Sequence, residues 1–446
     1  MIFSTTKKNE LYYQTLQQVS EIRFSGLEQY ASDRLLAVQT WNYYTDKFES
    51  HRFIRILWKC FSRGYIYNFE EKKGRILFFY SHVHSDRSDY LDFFSRVASC
   101  TKDSYIVKGY PKKLSFNILF LRNLFYVYKW KKALLPLKVN RVYEEMIILT
   151  LLRCINWKDI IKSNKKVLSQ YSGVVTVFDI LPEEYMLVLF FKNHNLPSAT
   201  LQHGHFMKKQ WISNDSFTTG FAFHYSLSDY FLAWGELTKQ YAIESGMEAK
   251  RIKLLGCPRF IDYVPIERNE DACSQKVFGL LLEGGNGTII ERFNTEMITI
   301  CTHFARKNGL KLFIKKHPSW SIDYAMNEIA PFQDIVEIAD NGMSIIDFSN
   351  KVSFSISSSS SVYAELLIIQ SVVFRFTAPY FIDRYSGIEY GEFHNEEELQ
   401  FYYDELRHYR DSVVEKMKYN SNTISPTTGI RERYEHFFNS FYNSQQ

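Results

Sequence analysis

Two stretches of the chain concentrate groups that hold phosphate. The first is Lys315-Lys316-His317-Pro318, directly after an alternating apolar and polar run over 311–314. The second is an unbroken serine run, Ser357 to Ser361, directly after an alternating run over 352–356. Val362, Leu366 and Leu367 then fall at helical spacing, which predicts that the serines open a helix. A helix start offers unpaired backbone N–H groups and the positive end of a dipole, and both suit a phosphate. The small hydroxyl side chains of Ser358, Ser359, Ser360 and Ser361 let the phosphate approach and add donors. Glu365 lies one turn further on, where a carboxylate accepts bonds from ribose hydroxyls. Taken singly, the serines read as a helix cap in a loop and His317 as a surface histidine before a turn proline. Two such stretches, each just after an expected strand, favour a nucleotide site.

Three further constellations bear on chemistry. Gly284 and Gly285, in the turn from Glu283 to Gly287, follow an expected strand, and glycine there lets backbone amides reach a diphosphate. His203, in the turn Gln202-His203-Gly204, is the first choice of general base, because a neutral imidazole takes a proton from an acceptor hydroxyl at neutral pH. Its plainer role is to cap the turn. His84 or Asp86, in a crowded stretch with His82 and Asp89, is the second choice, and Glu183 or Glu184 the third. The two histidines and the aspartate lack a further His or Cys partner for a metal. No Asp-x-Asp pair stands at a strand end either. Lys315, Lys316, His317 and the serine helix must then neutralise the leaving phosphates, which predicts a metal-independent reaction with no cofactor. Neither a dinucleotide GxGxxG nor a P-loop is present.

These residues need strands to hold them. Apolar runs over 75–80, 105–108, 173–180, 198–201, 230–234 and 251–255 alternate with helical stretches. That rhythm predicts a parallel, doubly wound sheet. The charged stretch 265–275 reads as a linker. A second series follows, with strands over 277–282, 311–314, 352–356 and 371–376. The expected organisation is a helical extension over 1–73, a Rossmann-like acceptor-side domain over 74–262 and a nucleotide-binding one over 275–420. A C-terminal helix within 421–446 is expected to return to the first domain.

The 446 residues are too many for one ordinary domain and enough for two cores. A net charge of only +5 gives no global nucleic-acid-binding character. The charge is uneven, however: 104–143 holds nine Lys and Arg, among them Lys129, Lys131 and Lys132, and no acid. Aromatic and apolar residues lie between them. The segment reads as a membrane-surface contact or a dock for a lipid-linked acceptor, or as a buried helix whose lysines reach solvent. The six scattered cysteines fit reduced thiols. The start does not read as a signal peptide, since no apolar stretch follows its charges, and no apolar run reaches the ~18 residues a membrane span needs. The expectation is a cytoplasmic protein, at most peripheral on the inner face of the membrane.

Lys315-x-His317-Pro318 after a strand, followed by serines at a strand-to-helix turn, resembles the nucleotide-binding domain of GT-B glycosyltransferases. Bacterial sialyltransferases and capsule or O-antigen transferases carry this pair of motifs. The likeness to CDP-glycerol phosphotransferases and UDP-N-acetylglucosamine 2-epimerases is looser, and Gln202-His203-Gly204 resembles the His-Gly turn of the former. The resemblance implies an α/β GT-B fold of two Rossmann-like domains with a cleft between them. It implies an inverting transfer of sugar from a nucleotide-sugar donor to a saccharide or polyprenyl-linked acceptor. The product would be a surface polysaccharide such as capsule, O-antigen or lipopolysaccharide. The sialyltransferases' acidic base is not found here, which leaves the base open. Alternatives are an alditol-phosphate transferase, a UDP-sugar 2-epimerase-like enzyme, and a non-catalytic assembly protein that keeps the fold.

Overall fold

A computed structural model describes residues 5–28, 36, 52–61, 65–71, 73–81, 88–111, 119–177, 179–204, 206, 220, 223–263, 276–284, 288–317, 322–340 and 342–443. The chain divides into two compact units. The first holds residues 1–233, 238–261 and 430–446, and the second holds 234–237 and 262–429.

The first unit is built on a six-stranded sheet in the order β3-β2-β5-β6-β7-β8. Its strands are β2 (Ile76–Tyr80), β3 (Ser104–Lys108), β5 (Gly173–Thr176), β6 (Ser198–Leu201), β7 (Tyr230–Ala233) and β8 (Ile252–Leu254). Every pairing is parallel. A short antiparallel pair, β1 (Tyr65–Ile66) with β4 (Tyr110–Pro111), stands apart from it. All five residues of β2 are buried, as in a strand covered on both faces. On one face Phe78 meets Phe94 of α3 (Ser88–Ala98) at 5.1 Å. On the other Phe79 packs edge-on against Trp157 at 5.2 Å.

Trp157 belongs to the long helix α5 (Arg141–Ser163), which packs against α1 (Thr5–Val19), α2 (Arg52–Phe61) and α4 (Phe120–Leu134) in one apolar cluster. Tyr12, Leu16 and Val19 of α1 are buried there with Trp130 and Tyr143. The N-terminal segment is thus part of the first unit's core. The unit also holds α6 (Pro182–Asn193) and most of α7 (Glu236–Glu244).

The second unit has its own six-stranded sheet, in the order β11-β10-β9-β12-β13-β14. The strands are β9 (Val277–Leu281), β10 (Lys311–Lys315), β11 (Val336–Ile338), β12 (Ser355–Ser357), β13 (Val373–Phe376) and β14 (Glu392–Phe393). All are parallel. The alternation seen in the sequence sets the two faces. Phe278 stacks on Phe354 at 5.1 Å, and Phe354 meets Phe374 at 5.6 Å. Helix α8 (Thr288–Asn308) and, further along the chain, the helix Glu396–His408 cover this face with Phe304 and Tyr403. On the opposite face Phe313 stacks on Phe348 of α9 (Ile345–Asn350) at 5.2 Å. Gly279 must be glycine, because a Cβ there would stand 2.6 Å from the Phe348 ring. Helix α10 (Ser361–Ile368) follows β12, and α11 (Glu396–His408) and α12 (Arg410–Ile424) follow β14.

The last helix, α13 (Ile430–Asn443), belongs to the first unit. Its Phe438 lies 5.8 Å from Phe78, its Phe437 5.4 Å from Tyr230, and the Tyr434 hydroxyl donates to the Gly256 carbonyl at 3.1 Å. The expected fold class, two Rossmann-like α/β domains, is what the chain adopts. The strands missing from the sequence reading are short ones: β1, β4, β11 and β14 carry two or three residues each.

Candidate functional site

In the second sheet the chain runs outward from β9 through β10 to β11, and outward the other way from β12 through β13 to β14. The switch point therefore lies at the carboxyl ends of β9 and β12, where open α/β sheets bind ligands. Four loops meet its chemistry there. They carry Glu283 and Gly284 after β9, His317 after β10, Ser358 to Ser360 after β12, and Asp383 and Arg384 after β13.

The end of β9 is clamped by a buried asparagine of α8. Asn294 accepts from the Glu283 N–H at 2.9 Å and donates to the Glu283 carbonyl at 3.0 Å. The same amide donates to the Tyr324 hydroxyl at 2.9 Å. The Glu283 side chain is buried and fully engaged: Ser358 donates to one oxygen, and Arg384 Nη1 to the other at 3.1 Å. Arg384 also reaches the Ser359 carbonyl at 3.2 Å, tying the β9 and β12 loops together.

The serine run lies where it was expected, at the start of α10. Ser360 is the N-cap residue and makes no side-chain cap bond, so the first turn's N–H groups are not met by its hydroxyl. Ser361 is exposed and Ser360 half-buried, while Ser358 and Ser359 are buried. The buried pair is structural. Ser359 donates to Asp383 at 3.1 Å, and Asp383 also accepts from the Tyr385 N–H at 2.9 Å. Tyr385 Oη donates to the Ser360 carbonyl at 2.9 Å. Glu365 is half-buried one turn along α10.

His317 is held against Gly284. A Cβ at Gly284 would stand 2.3 Å from the imidazole, so only glycine admits the ring in this position. Burial holds His317 below the ordinary imidazole pKa, and the Glu283 carboxylate pulls the other way. Gly284→Ala is expected to displace the ring, destabilise the unit by about 1–3 kcal/mol, and weaken nucleotide binding. Calorimetric titration of the variant beside its melting curve checks both. Lys315 donates to the Met343 carbonyl at 2.7 Å, and burial lowers its ammonium pKa against the pull of Asp340. It steadies the backbone at Met343. Gly285 and Pro318 lie outside the described residues.

The first unit holds the candidate bases. His203 follows β6 and its Nδ1 lies 3.1 Å from the Val177 carbonyl. A carbonyl only accepts, so Nδ1 carries a proton. Its neighbour Gln202 is buried and donates to the Gly204 carbonyl at 2.9 Å and to Thr238 at 3.0 Å. Beside Phe206 lies a small, mostly apolar hollow, lined by Val177, Asp179, Thr200, Phe231 and Met247 among others. Asp179 takes three bonds on one oxygen, from Ser226 Oγ at 3.0 Å and from the N–H groups of Leu227 at 2.9 Å and Ser228 at 2.6 Å. Glu183 is bound by Arg153 in a buried bidentate pair at 2.8 and 2.5 Å, a structural use that removes it from the list of bases. Glu184 is buried beside it on α6. His84 and Asp86 lie outside the described residues.

Arg384, Asp383 and Asn294 were not legible as site residues. Asp383-Arg384 sits in a stretch without periodicity after the last expected strand, and Asn294 is one polar residue on a helix. Only the packed sheet brings them to Glu283.

No family model matches the chain, and no curated protein matches its sequence. Solved structures match its fold. S. aureus MnaA, in a co-structure with UDP, is 11% identical with a TM-score of 0.50, covering 83% of this chain and 97% of that one. A UDP-N-acetylglucosamine 2-epimerase is 14% identical with a TM-score of 0.51, covering 83% and 97%. The likeness establishes a GT-B-like fold. It does not carry the narrower resemblance to the sialyltransferase and CDP-glycerol transferase groups.

Proposed function

We propose that the chain is a nucleotide-sugar enzyme whose second unit binds the nucleotide at the carboxyl ends of β9, β10 and β12. The observation that carries this reading is the convergence of the His317 ring, packed on Gly284, and an α10 start without a side-chain cap at one topological switch point. UDP is the proposed nucleotide, a choice supported by the UDP named with S. aureus MnaA in a matching fold. The α10 N–H groups and Ser360 and Ser361 would bind phosphate, with His317 donating from a neutral ring and Glu365 facing the ribose. Lys316 supplies positive charge beside them, so no metal is required by this arrangement. Among the described residues no group of three or more His, Cys, Asp or Glu stands together as a metal site.

Two reactions suit such a site. The name of one matching structure, a UDP-N-acetylglucosamine 2-epimerase, supports a 2-epimerase-like reaction on a UDP-N-acetylhexosamine, which needs no acceptor. The second reading is inverting transfer of the sugar to a saccharide or polyprenyl-linked acceptor of capsule or O-antigen synthesis. The place of His203 after β6, with Nδ1 against the Val177 carbonyl, supports it, with His203 as the proposed base. An alditol-phosphate transferase and a non-catalytic assembly protein are the remaining readings. Incubation with UDP-N-acetylglucosamine alone, followed by proton NMR, separates them. An epimerised hexosamine supports the first reading. Turnover that appears only with added acceptor, and falls in His203→Ala, supports the second. An inert UDP-sugar that nonetheless binds would leave the assembly role.

The site also predicts a pH dependence. In the folded protein burial disfavours the charged imidazole, so His317 is neutral at pH 7. A bound diphosphate favours the charged form and draws a proton onto the ring. UDP affinity is therefore expected to rise as pH falls from about 8 toward about 6, across the ordinary histidine range. Without ligand the sign reverses: with the folded pKa lowered, stability is lost as pH falls below about 6.5. Titrations at several pH values, repeated with His317→Asn, check this; a slope that persists in the variant belongs to another group.

A further inference from the structure

Helix α4 presents an apolar stripe that no element among the described residues of the first unit covers. Leu121 is 67% exposed, Phe125 54% and Tyr128 64%, and Leu135, in the turn that follows the helix, is 76% exposed. At 3.6 residues per turn, Leu121, Phe125, Tyr128 and Lys132 fall within about 60° of arc. Lys129 and Lys131 flank that arc on its two sides, about 160° apart. The opposite face, Asn123, Val127, Trp130 and Leu134, is buried in the unit's core. Trp130 locks it by donating to the Ser25 carbonyl at 2.9 Å, and Arg122 by a bidentate pair with Asp159 at 3.0 and 2.7 Å. The helix is thus fixed in place, with its apolar stripe outward.

Its charges identify the partner. The helix itself carries no acid, and the one acidic side chain bonded to its lysines is Glu144, 3.7 Å from Lys131, among the described residues. An apolar strip edged by lysines is complementary to a surface that is negative outside and apolar beneath, because lysine stems lie along the hydrocarbon while their ammonium groups reach headgroup phosphates. A second protein copy would meet like charge on this stripe, since each copy brings the same lysines. We infer that α4 docks the protein onto an anionic lipid bilayer, with Leu121, Phe125, Tyr128 and Leu135 entering the interface and Lys129, Lys131 and Lys132 binding headgroups. Among the described residues no helix is long and apolar enough to cross a membrane, so the contact is one of a helix lying on its surface. This inference stands apart from the nucleotide site.

The test is co-sedimentation of the full chain with vesicles of phosphatidylcholine alone and of phosphatidylcholine with phosphatidylglycerol. Binding is expected to the anionic vesicles only, and to weaken as salt rises. Phe125→Ser/Tyr128→Ser and Lys129→Glu/Lys132→Glu alter exposed side chains. Each pair is expected to reduce that binding about tenfold or more while leaving the melting temperature unchanged. A chain that ignores both vesicles overturns the inference, as does binding that either pair of substitutions leaves intact. Self-association in solution that Phe125→Ser/Tyr128→Ser abolishes, without vesicle binding, overturns it in favour of a second copy.

Discussion

Replacing Arg375 with alanine is expected to destabilise the second unit by about 3–5 kcal/mol. Arg375 is fully buried in β13 and serves two carboxylates at once, Asp383 and, at 2.5 Å, Glu392 of β14. It donates as well to the Ile388 carbonyl at 2.8 Å. Truncation leaves both carboxylates facing a desolvated hole, and removing one partner of a buried ion pair costs more than the pair is worth. Asp383 and Glu392 are 25% and 26% exposed, so water relieves part of the loss and the lower end of the range is expected. Arg375→Lys keeps the charge but cannot fork between two acids and a carbonyl, so it should fall between. Urea unfolding followed by hydrogen exchange at β13 and β14 measures this. The loss should reach the site, because Asp383 is also the acceptor for Ser359. Stability within about 0.5 kcal/mol of the parent would contradict the role given to Arg375.

His317→Ala is expected to raise the dissociation constant for UDP by about tenfold to a hundredfold, the range for one hydrogen bond to a charged group. The fold should be spared, since the ring packs on a glycine in a loop and fills no core. His317→Asn returns a donor and should recover part of the affinity. Calorimetric titration at fixed pH and salt reads both. Equal affinity in parent and His317→Ala would remove His317 from the binding site.

How far these residues were legible depends on the length scale of their interactions. The strand–helix rhythm is local, and so β2, β5, β6, β7, β9, β10, β12 and β13 appear as apolar runs in the sequence. The serine run and the His317 turn were visible for the same reason, since each follows a strand directly. The sequence could not divide the labour among the serines. Ser358 and Ser359 are spent on Glu283 and Asp383, and only Ser360 and Ser361 stand open at the helix start. Nor could it show that Glu283 is bridged by Arg384 from 101 residues away, or that Glu183 is bound by Arg153. Those are long-range pairs between charged residues that look like any solvent-facing charge in a list. The short strands β11 and β14 escaped because three and two residues carry no period. The basic segment was legible as a charge imbalance; its division into a buried face and an exposed stripe needed the helix to be seen in place.

The central claim is that the second unit binds a nucleotide through the chain's own donors, without a metal. Thermal shift of the full chain with CMP, CDP, UMP, UDP, GDP and dTDP at millimolar concentration, with and without Mg²⁺, tests it most directly. A ligand that binds only the folded state raises stability by RT ln(1 + [L]/Kd), about 2.7 kcal/mol at a hundredfold excess over Kd. The account predicts a clear rise with UDP that needs no Mg²⁺ and largely disappears in His317→Ala. An unchanged melting temperature with every nucleotide would contradict it.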